Sequence, residues 1–421
     1  MVGKKLTSVA VAAALGGMAT GAVAGGFAIG TQSGSGTGNA FAGGAAAADD
    51  ASVAWYNPAA MTLIPGKQVA GALHVLKPSF KFENQGSTGA FAAPGTGEGG
   101  DGGDWAFVPN GFFTMAINPR LSFGLALNVP FGLKTEYDDG WRGDLKTRKS
   151  EIKTVNINPS IGYKVSDTVS IGAGVSVQKL DAELTNNAAL IGAGVVTLDA
   201  DDVGYGFNLG LMVQASPSTR IGAHYRSAIK YELEGTVTMS TAPQGNGGVT
   251  ADLKVPDSAS LSIFQALGNW ELMGDITWTG WSSVQQLLVT RTTAETTVGT
   301  IPGAAGATVT NEPFLWDDTW RYAVGANYKM SPQTKLRFGL ALDKTPTNDT
   351  TRTPRLPDQD RTWVALGVQY KPSKTSILDV GYAHEFIKDA RISNTVPLAG
   401  TLSGTFENKA DIFSIQYSQS F

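Results

Sequence analysis

The chain has 421 residues, enough for two ordinary domains or one large closed sheet, and only 16% of them are charged while 18 are Phe and 9 Trp. That balance is too apolar and aromatic for a disordered polymer and too polar for a bundle of membrane helices. A formal net charge of -4 gives no concentrated basic face for nucleic acid, and with no cysteine there is no disulfide, thiolate metal site or cysteine nucleophile.

In chain order, the first element is an export signal. Residues 1–24 place Lys4 and Lys5 before an apolar run and end in Ala22-Val23-Ala24, the small-x-small pattern of a signal-peptidase site. The mature chain is therefore expected to start near Gly25. No later run supplies the eighteen or so apolar residues of a spanning helix, so the reading is an exported protein without a helical anchor.

Residues 25–66 sustain neither a helical nor a strand period. Their second half, AAAADDASVAWYNPAAMTLIPG, sets Asp49 and Asp50 ahead of an aromatic pair and an Asn57-Pro58-Ala59 turn. From Lys67 onward the pattern changes to period-two alternation, the signal of strands. Val169, Ile171, Ala173, Val175 and Val177 share one face against Ser170, Gly172, Gly174, Ser176 and Gln178. Trp320, Tyr322, Val324, Ala326 and Tyr328 oppose Arg321, Ala323, Gly325, Asn327 and Lys329; Leu336, Phe338, Leu340 and Leu342 oppose Lys335, Arg337, Gly339, Ala341 and Asp343.

The connections separate a membrane barrel from a soluble sandwich. Short turns stand at Asn118-Pro119-Arg120, Ser166-Asp167, Ser216-Pro217-Ser218, Gly268-Asn269, Ser331-Pro332-Gln333 and Pro372-Ser373-Lys374, and longer Gly/Thr/Asn-rich connections lie between them, at about 83–104, 291–315 and 344–356. Short turns on one side and long loops on the other are the asymmetry of an outer-membrane barrel, here of about fourteen antiparallel strands over residues 67–421. Trp105, Trp270, Trp320, Trp363, Tyr163, Tyr328 and Tyr370 near strand ends are expected to sit at the headgroup level. The terminal DIFSIQYSQSF puts Phe413, Ile415, Tyr417 and Phe421 on one face, which resembles the last strand read by the outer-membrane assembly machinery. A barrel this wide leaves a lumen that wall side chains alone do not fill. Residues 25–66, with Asp49 and Asp50 reaching polar wall residues, are expected to plug it. The stretch TNNAALIGAGVVTLDADD reads as a loop whose Ala188, Leu190, Ile191 and Val195 form a small apolar surface.

Within the wall, Pro130 follows the alternating Leu121, Phe123, Leu125 and Leu127 and cannot donate to a ladder, so it marks either the strand's end or a gap through which an apolar solute leaves sideways. By parity Arg321, Arg337 and Arg361 face the lumen, where they meet a ligand carboxylate or lumen acids such as Asp343, Asp360 and Asp379. The Gly95, Gly97, Gly100 pattern opens no helix, His74, His224 and His384 share no metal spacing, and no G-x-S-x-G elbow is present. No catalytic residue, metal or cofactor is assigned.

Several segments in this order resemble the outer-membrane long-chain fatty-acid transporter family (FadL type), which includes channels for toluene and related hydrocarbons. They are the block from GGFAIGTQSGSGTGNAFAGG to NPAAMTLIPG, then VPFGL with TVNINPSIGYKV, DDTWRYAVGANY, PDQDRTWVALGVQY and the terminal Phe. The resemblance implies a fourteen-stranded barrel with an N-terminal hatch, energy-independent diffusion of hydrophobic substrates to a lumen site, and sideways exit beside a kinked third strand. It places Phe27 at the hatch end, Asn57, Pro58 and Ala59 in its turn, and Asn128, Val129, Pro130, Phe131 and Gly132 near the kink. The expected protein is a monomeric outer-membrane channel, in contact with outer-membrane lipid, that takes up long-chain fatty acids. The alternatives are an aromatic or alkane hydrocarbon channel, an outer-membrane lipid hydrolase, and a structural or adhesive barrel.

Overall fold

A computed structural model describes residues 25–421; the expected signal peptide, 1–24, lies outside the described residues. Fourteen antiparallel strands form one closed sheet. They are β1 (Lys67–Asn84), β2 (Ala106–Ala116), β3 (Leu121–Asn128 and Gly132–Glu136), β4 (Lys149–Lys164), β5 (Val169–Asn187), β6 (Val195–Ser216) and β7 (Thr219–Arg226 and Ile229–Met239). The second half comprises β8 (Gly247–Val255 and Ser258–Leu267), β9 (Trp270–Thr279 and Gln286–Arg291), β10 (Thr308–Pro313 and Thr319–Lys329), β11 (Thr334–Asp343), β12 (Arg361–Tyr370), β13 (Ser376–Ile387 and Ala390–Val396) and β14 (Gly400–Ser420). Closure is made by β1 on β14, in register from Gln68↔Ser420 to Asn84↔Gly404, so no edge strand is left unpaired. All six short turns fall where the Pro, Gly and Asx signals put them, and β1 begins at Lys67 as expected. Among the described residues no helix is long and apolar enough to cross a membrane.

The alternation carries through: Ile171, Val175, Val324, Leu340 and Leu342 are exposed on the outer wall, while Ser170, Ser176, Ala323 and Arg337 face inward. Trp363 departs from expectation. It is 0% exposed and packs against Phe41 inside the barrel at 6.2 Å, because two residues from lumen-facing Arg361 it has the same parity. The stretch read as a loop at 185–202 is mostly wall: β5 runs to Asn187 and β6 starts at Val195, leaving a seven-residue connection.

That misreading has a physical cause. In the lower part of β6 the outward residues are apolar, Phe207, Leu209 and Leu211, but higher up Asp199 and Asp201 point out and Val196 points in. β7 inverts in the same way, from exposed Ile221 to exposed Lys230 and Glu232 over buried Tyr231 and Leu233. The barrel projects beyond the hydrocarbon zone, where water is outside and an apolar cavity inside, so the hydrophobic face of each strand switches sides.

Residues 27–64 occupy the interior. They hydrogen-bond to the backbone or side chains of Val129, Leu211 in β6, Ser262 in β8, Asn327 in β10, Phe338 in β11 and Gln416 in β14. Strands on every side of the lumen are thus reached by one segment. It contains two four-residue helical turns, α1 (Gly34–Thr37) and α2 (Val53–Tyr56), and a 3₁₀ turn at Pro58–Leu63.

Candidate functional site

The interior segment is built for close approach. Asn57, 0% exposed, donates to Ala45 O (2.7 Å) and Leu211 O (2.9 Å) and accepts from Ala59 N–H (3.0 Å), so its side chain caps the turn that Pro58 opens. The turn lies on two wall glycines: a Cβ on Gly172 would stand 2.4 Å from Ala59 N, and one on Gly210 2.1 Å from Asn57 Oδ1. The small residues of the wet face are therefore a seat for this turn. Asp49 ion-pairs with Arg337 (2.9 Å) and Lys335 (3.6 Å) of β11. Burial alone would raise its pKa, but Lys335 and Arg337 outweigh that and hold the carboxyl well below its usual range. Asp50 makes no hydrogen bond or ion pair with the wall among the described residues; it accepts from Ser52 N–H at 2.8 Å and caps the turn before α2.

At its other end the segment meets the interruption in β3. The strand stops at Asn128 and resumes at Gly132, and the residues between them bond to the interior segment instead. Ile29 N–H donates to Pro130 O (2.8 Å), Gly132 N–H donates to Phe27 O (2.9 Å), and Ala28 bridges Phe131. Gln32 Nε2 donates to Val129 O at 2.9 Å while its oxygen accepts from Asn128 Nδ2 at 2.8 Å. On the β2 side the ladder to β3 ends at Gly111↔Leu127; Ala106–Asn110 have no β3 partner, which leaves a gap in the wall above that pair. Asn128 and Asn156, opposite each other in register, are fully buried beside it, and neither polar side-chain atom of Asn156 has a hydrogen-bond partner among the described residues. An unpaired buried amide costs roughly 1–3 kcal/mol, a cost tolerated here at the edge of the break.

Two cavities flank this point. The outer one has a volume of about 510 Å³ and is lined by Leu133, Leu198, Leu233, Leu253, Leu287 and Trp316 among others, with Phe27 at its wall. The inner one, of about 210 Å³, is bounded by Pro130, Phe131, Trp281, His224, Arg226 and Arg321. Between them stands an aromatic partition: the Phe27 ring lies 5.0 Å from Trp281, 5.7 Å from Phe131 and 5.7 Å from Trp316, and Trp281 lies 5.1 Å from Trp316. Phe27 and Trp316 line the outer cavity, and their ring partners Phe131 and Trp281 line the inner one.

The three lumen arginines separate. Arg337 is tied to Asp379 (2.9 Å) and Asp49, and Arg361 to Glu385 (2.9 Å) and Asp358. Arg321 forms no ion pair among the described residues; it donates to Ala40 O at 2.5 Å, lies 5.3 Å from the Trp363 ring and borders the inner cavity. Asp379 is thus a lumen partner as parity suggested, whereas Asp360 bonds Lys344 and Lys388. The expected apolar surface at 188–195 contributes Ala188, Leu190 and Ile191 to the outer cavity, with Val196 in place of Val195 because β6 turns its even-numbered residues inward there.

Sequence reasoning missed Trp281, Trp316 and Arg355. The two tryptophans sit where β9 and β10 break, outside any alternating run, so only their flanking Gly280 and Asp317-Asp318 marked them. Arg355, on the loop between β11 and β12, borders the outer cavity. Its guanidinium donates to Thr147 Oγ1, Ser150 Oγ, Lys149 O and Lys146 O, all neutral oxygens. The nearest lining acid, Glu312, is engaged by Lys146 at 2.9 Å. Arg352 lines the same cavity but is ion-paired with Asp349, so Arg355 is the lining cation without a carboxylate partner among the described residues.

Comparison with known proteins agrees with this architecture. The model of a family described as "Outer membrane protein transport protein (OMPP1/FadL/TodX)" matches residues 16–421. Outer membrane protein P1 of Haemophilus influenzae is 28% identical, over 92% of this chain and 93% of that protein. The long-chain fatty acid transport protein of Escherichia coli K12 is 24% identical, over 92% and 93%. Among solved structures, a Pseudomonas aeruginosa FadL homologue superposes with a TM-score of 0.84 at 28% identity, covering 94% of this chain and all of that one. The Ralstonia pickettii toluene transporter TbuX, at 18% identity and a TM-score of 0.65 over 92% and 98%, shares the fold.

Proposed function

This chain belongs to the OMPP1/FadL/TodX family of outer-membrane transport channels for hydrophobic compounds, and from that premise we propose that its substrates are long-chain fatty acids. The observation that carries the choice is Arg355, a guanidinium bonded among the described residues only to neutral oxygens, at the edge of a mostly apolar cavity of about 510 Å³. A carboxylate there gains a charge-assisted bidentate partner, and each methylene buried among Leu133, Leu198 and Leu253 contributes about 0.8 kcal/mol. The volume lies within the range of ligand pockets.

On this reading the substrate enters the outer cavity, passes Phe27 into the inner cavity near Arg321, and leaves into the membrane through the gap between β2 and β3. Residues 25–66 act as the hatch. Movement follows the concentration gradient and needs no energy source. The second reading, uptake of aromatic hydrocarbons, is favoured by the rings of Phe27, Phe131, Trp281 and Trp316, which suit a flat uncharged solute. Uptake of labelled oleate and toluene into cells lacking their own transporter separates the two. For a fatty-acid channel, Arg355→Leu lowers oleate uptake about tenfold or more, the loss of one charge-assisted bond, and leaves toluene entry alone. Toluene entry without any oleate entry in the unmodified protein would overturn the fatty-acid reading.

A further inference from the structure

Five strands beyond the β3 break, the wall is interrupted again. The ladder between β8 and β9 holds from Leu267↔Trp270 to Ser258↔Thr279 and resumes only at Ala251↔Val289. Between those points β8 spends residues 252–257 and β9 the longer run 280–288, joined by one backbone bond, Gly280 N–H to Asp257 O at 2.9 Å. The surplus length of β9 leaves the plane of the wall, and it goes inward. Trp281 and Val284 are 1% and 2% exposed, and Trp281 rests on Phe27 at 5.0 Å.

The outward consequence is a recess of about 750 Å³. Its floor is Leu253 and Val284, and its rim carries exposed Lys230, Glu232 and Asp252 together with Lys254. Leu253 also lines the outer cavity, so a single layer of side chains separates the recess from the cavity. Lys230 and Lys254 face each other in register, a like-charge pair that is unfavourable as it stands. Neither has a carboxylate within ion-pairing distance among the described residues. The rim also sets Glu232 opposite Asp252 in register, further from Ser258 than the lysine pair, so Lys230 and Lys254 form its positive end; an apolar floor beside that end suits the anionic head of a single-chain amphiphile.

We propose that this recess is a side-facing entrance to the outer cavity for such an amphiphile, a long-chain carboxylate. Its head lies between Lys230 and Lys254, its tail over Leu253 and Val284, and it enters by displacing the Gly280–Gln285 segment. That segment forms no ladder with β8; it is held by Ser282 N–H to Asp318 Oδ1 at 2.9 Å, Gln285 Nε2 to Trp316 O at 3.1 Å, the Phe314 and Leu315 N–H groups on Gln285 O at 2.8 and 3.0 Å, and the buried side chains of Trp281 and Val284. Because it also carries Trp281, its movement loosens the contact with Phe27. Occupation of the recess and opening of the partition are thereby coupled.

The proposal rests on the reading of the chain as a fatty-acid channel, and the test keeps the two apart. As the chain has no cysteine, Gln286→Cys at the rim can be labelled with a bulky maleimide, with Lys409→Cys on the exposed face of β14 as the control position. In vesicles holding the folded barrel, labelling Gln286→Cys slows oleate entry severalfold while labelling Lys409→Cys does not. The double variant Lys230→Ala/Lys254→Ala raises the half-saturating oleate concentration about tenfold, as expected for one lost charge-assisted bond, and leaves toluene entry unchanged. Unaltered oleate entry in both the labelled rim variant and the double-lysine variant overturns the entrance while the channel stands. Absence of oleate entry in the unmodified, unlabelled protein overturns both.

Discussion

Phe27→Ala is the sharpest perturbation of the partition. The ring is 3% exposed and meets Phe131, Trp281 and Trp316 within 5.7 Å. Truncating a buried Phe costs about 3–5 kcal/mol; the lower figure applies here, because the first residues of the interior segment can give way without disturbing the closed sheet. At about 1.4 kcal/mol per factor of ten, roughly 3 kcal/mol raises the undocked population about a hundredfold. The bond that reports this is Gly132 N–H to Phe27 O, since its amide exchanges only when the segment leaves. Hydrogen–deuterium exchange of the peptide around 128–134 should quicken about a hundredfold, while the β5–β6 ladder around Ala173↔Leu209 is unaffected. Unchanged exchange at Gly132, or an equal rise throughout the barrel, would refute the view that Phe27 locks this joint locally.

The other predictions concern the same segment and the wall beside it. Deleting residues 27–60 opens an ion-conducting pore, and a single-channel conductance equal to that of the full chain counts against the hatch. A covalent bridge between Phe107→Cys and Lys134→Cys, across the gap between β2 and β3, stops uptake with assembly intact; normal transport through the bridged protein removes the sideways exit. Asp49→Asn weakens docking by about 2 kcal/mol through loss of charge-assisted bonds, visible as faster proteolysis within 27–64. Because the Asp49 pKa is lowered in the folded state, its contribution is present above the unfolded carboxylate value and is lost only as pH falls through the lower folded one. The difference in protease resistance between the unmodified chain and Asp49→Asn is therefore as large at about pH 5 as at pH 7, and its loss on mild acidification would contradict that assignment.

How much of this could be read from the chain depends on whether the signal was local. Strand alternation, the six short turns and the boundary at Lys67 are written in neighbouring residues, and the structure repeats them. Pro130 announced an interruption for the same reason, since a missing donor is a property of one residue. Trp363 was legible too: its parity with Arg361 placed it inside, and grouping it with the interfacial aromatics set composition above geometry. By contrast, the inward excursion of β9 follows from comparing its 280–288 with 252–257 of another strand, a register that no local pattern records. Arg355 meets Thr147 and Ser150 across about two hundred residues of sequence, so its site existed only once the loops had come together.

On the proposed route, the inversion of the hydrophobic face sets the height of each opening. At the β3 gap the neighbouring outward residues are still apolar, with Leu127 below and Phe107, 41% exposed, above. At the β9 recess they are already Lys230, Glu232 and Asp252, beyond the exposed Ile221 and Ile276 of the same wall. One opening therefore borders hydrocarbon and the other the polar layer over it. An amphiphile taken from the polar layer and released into hydrocarbon moves downhill in apolar exposure by about 0.8 kcal/mol per methylene. No input of energy is then required for direction, only a partition that yields. Phe27 meets that condition: it is held by three ring contacts of about 0.5–1.5 kcal/mol each beyond burial, and a hydrophobic tail entering the same space replaces most of the contacts it displaces.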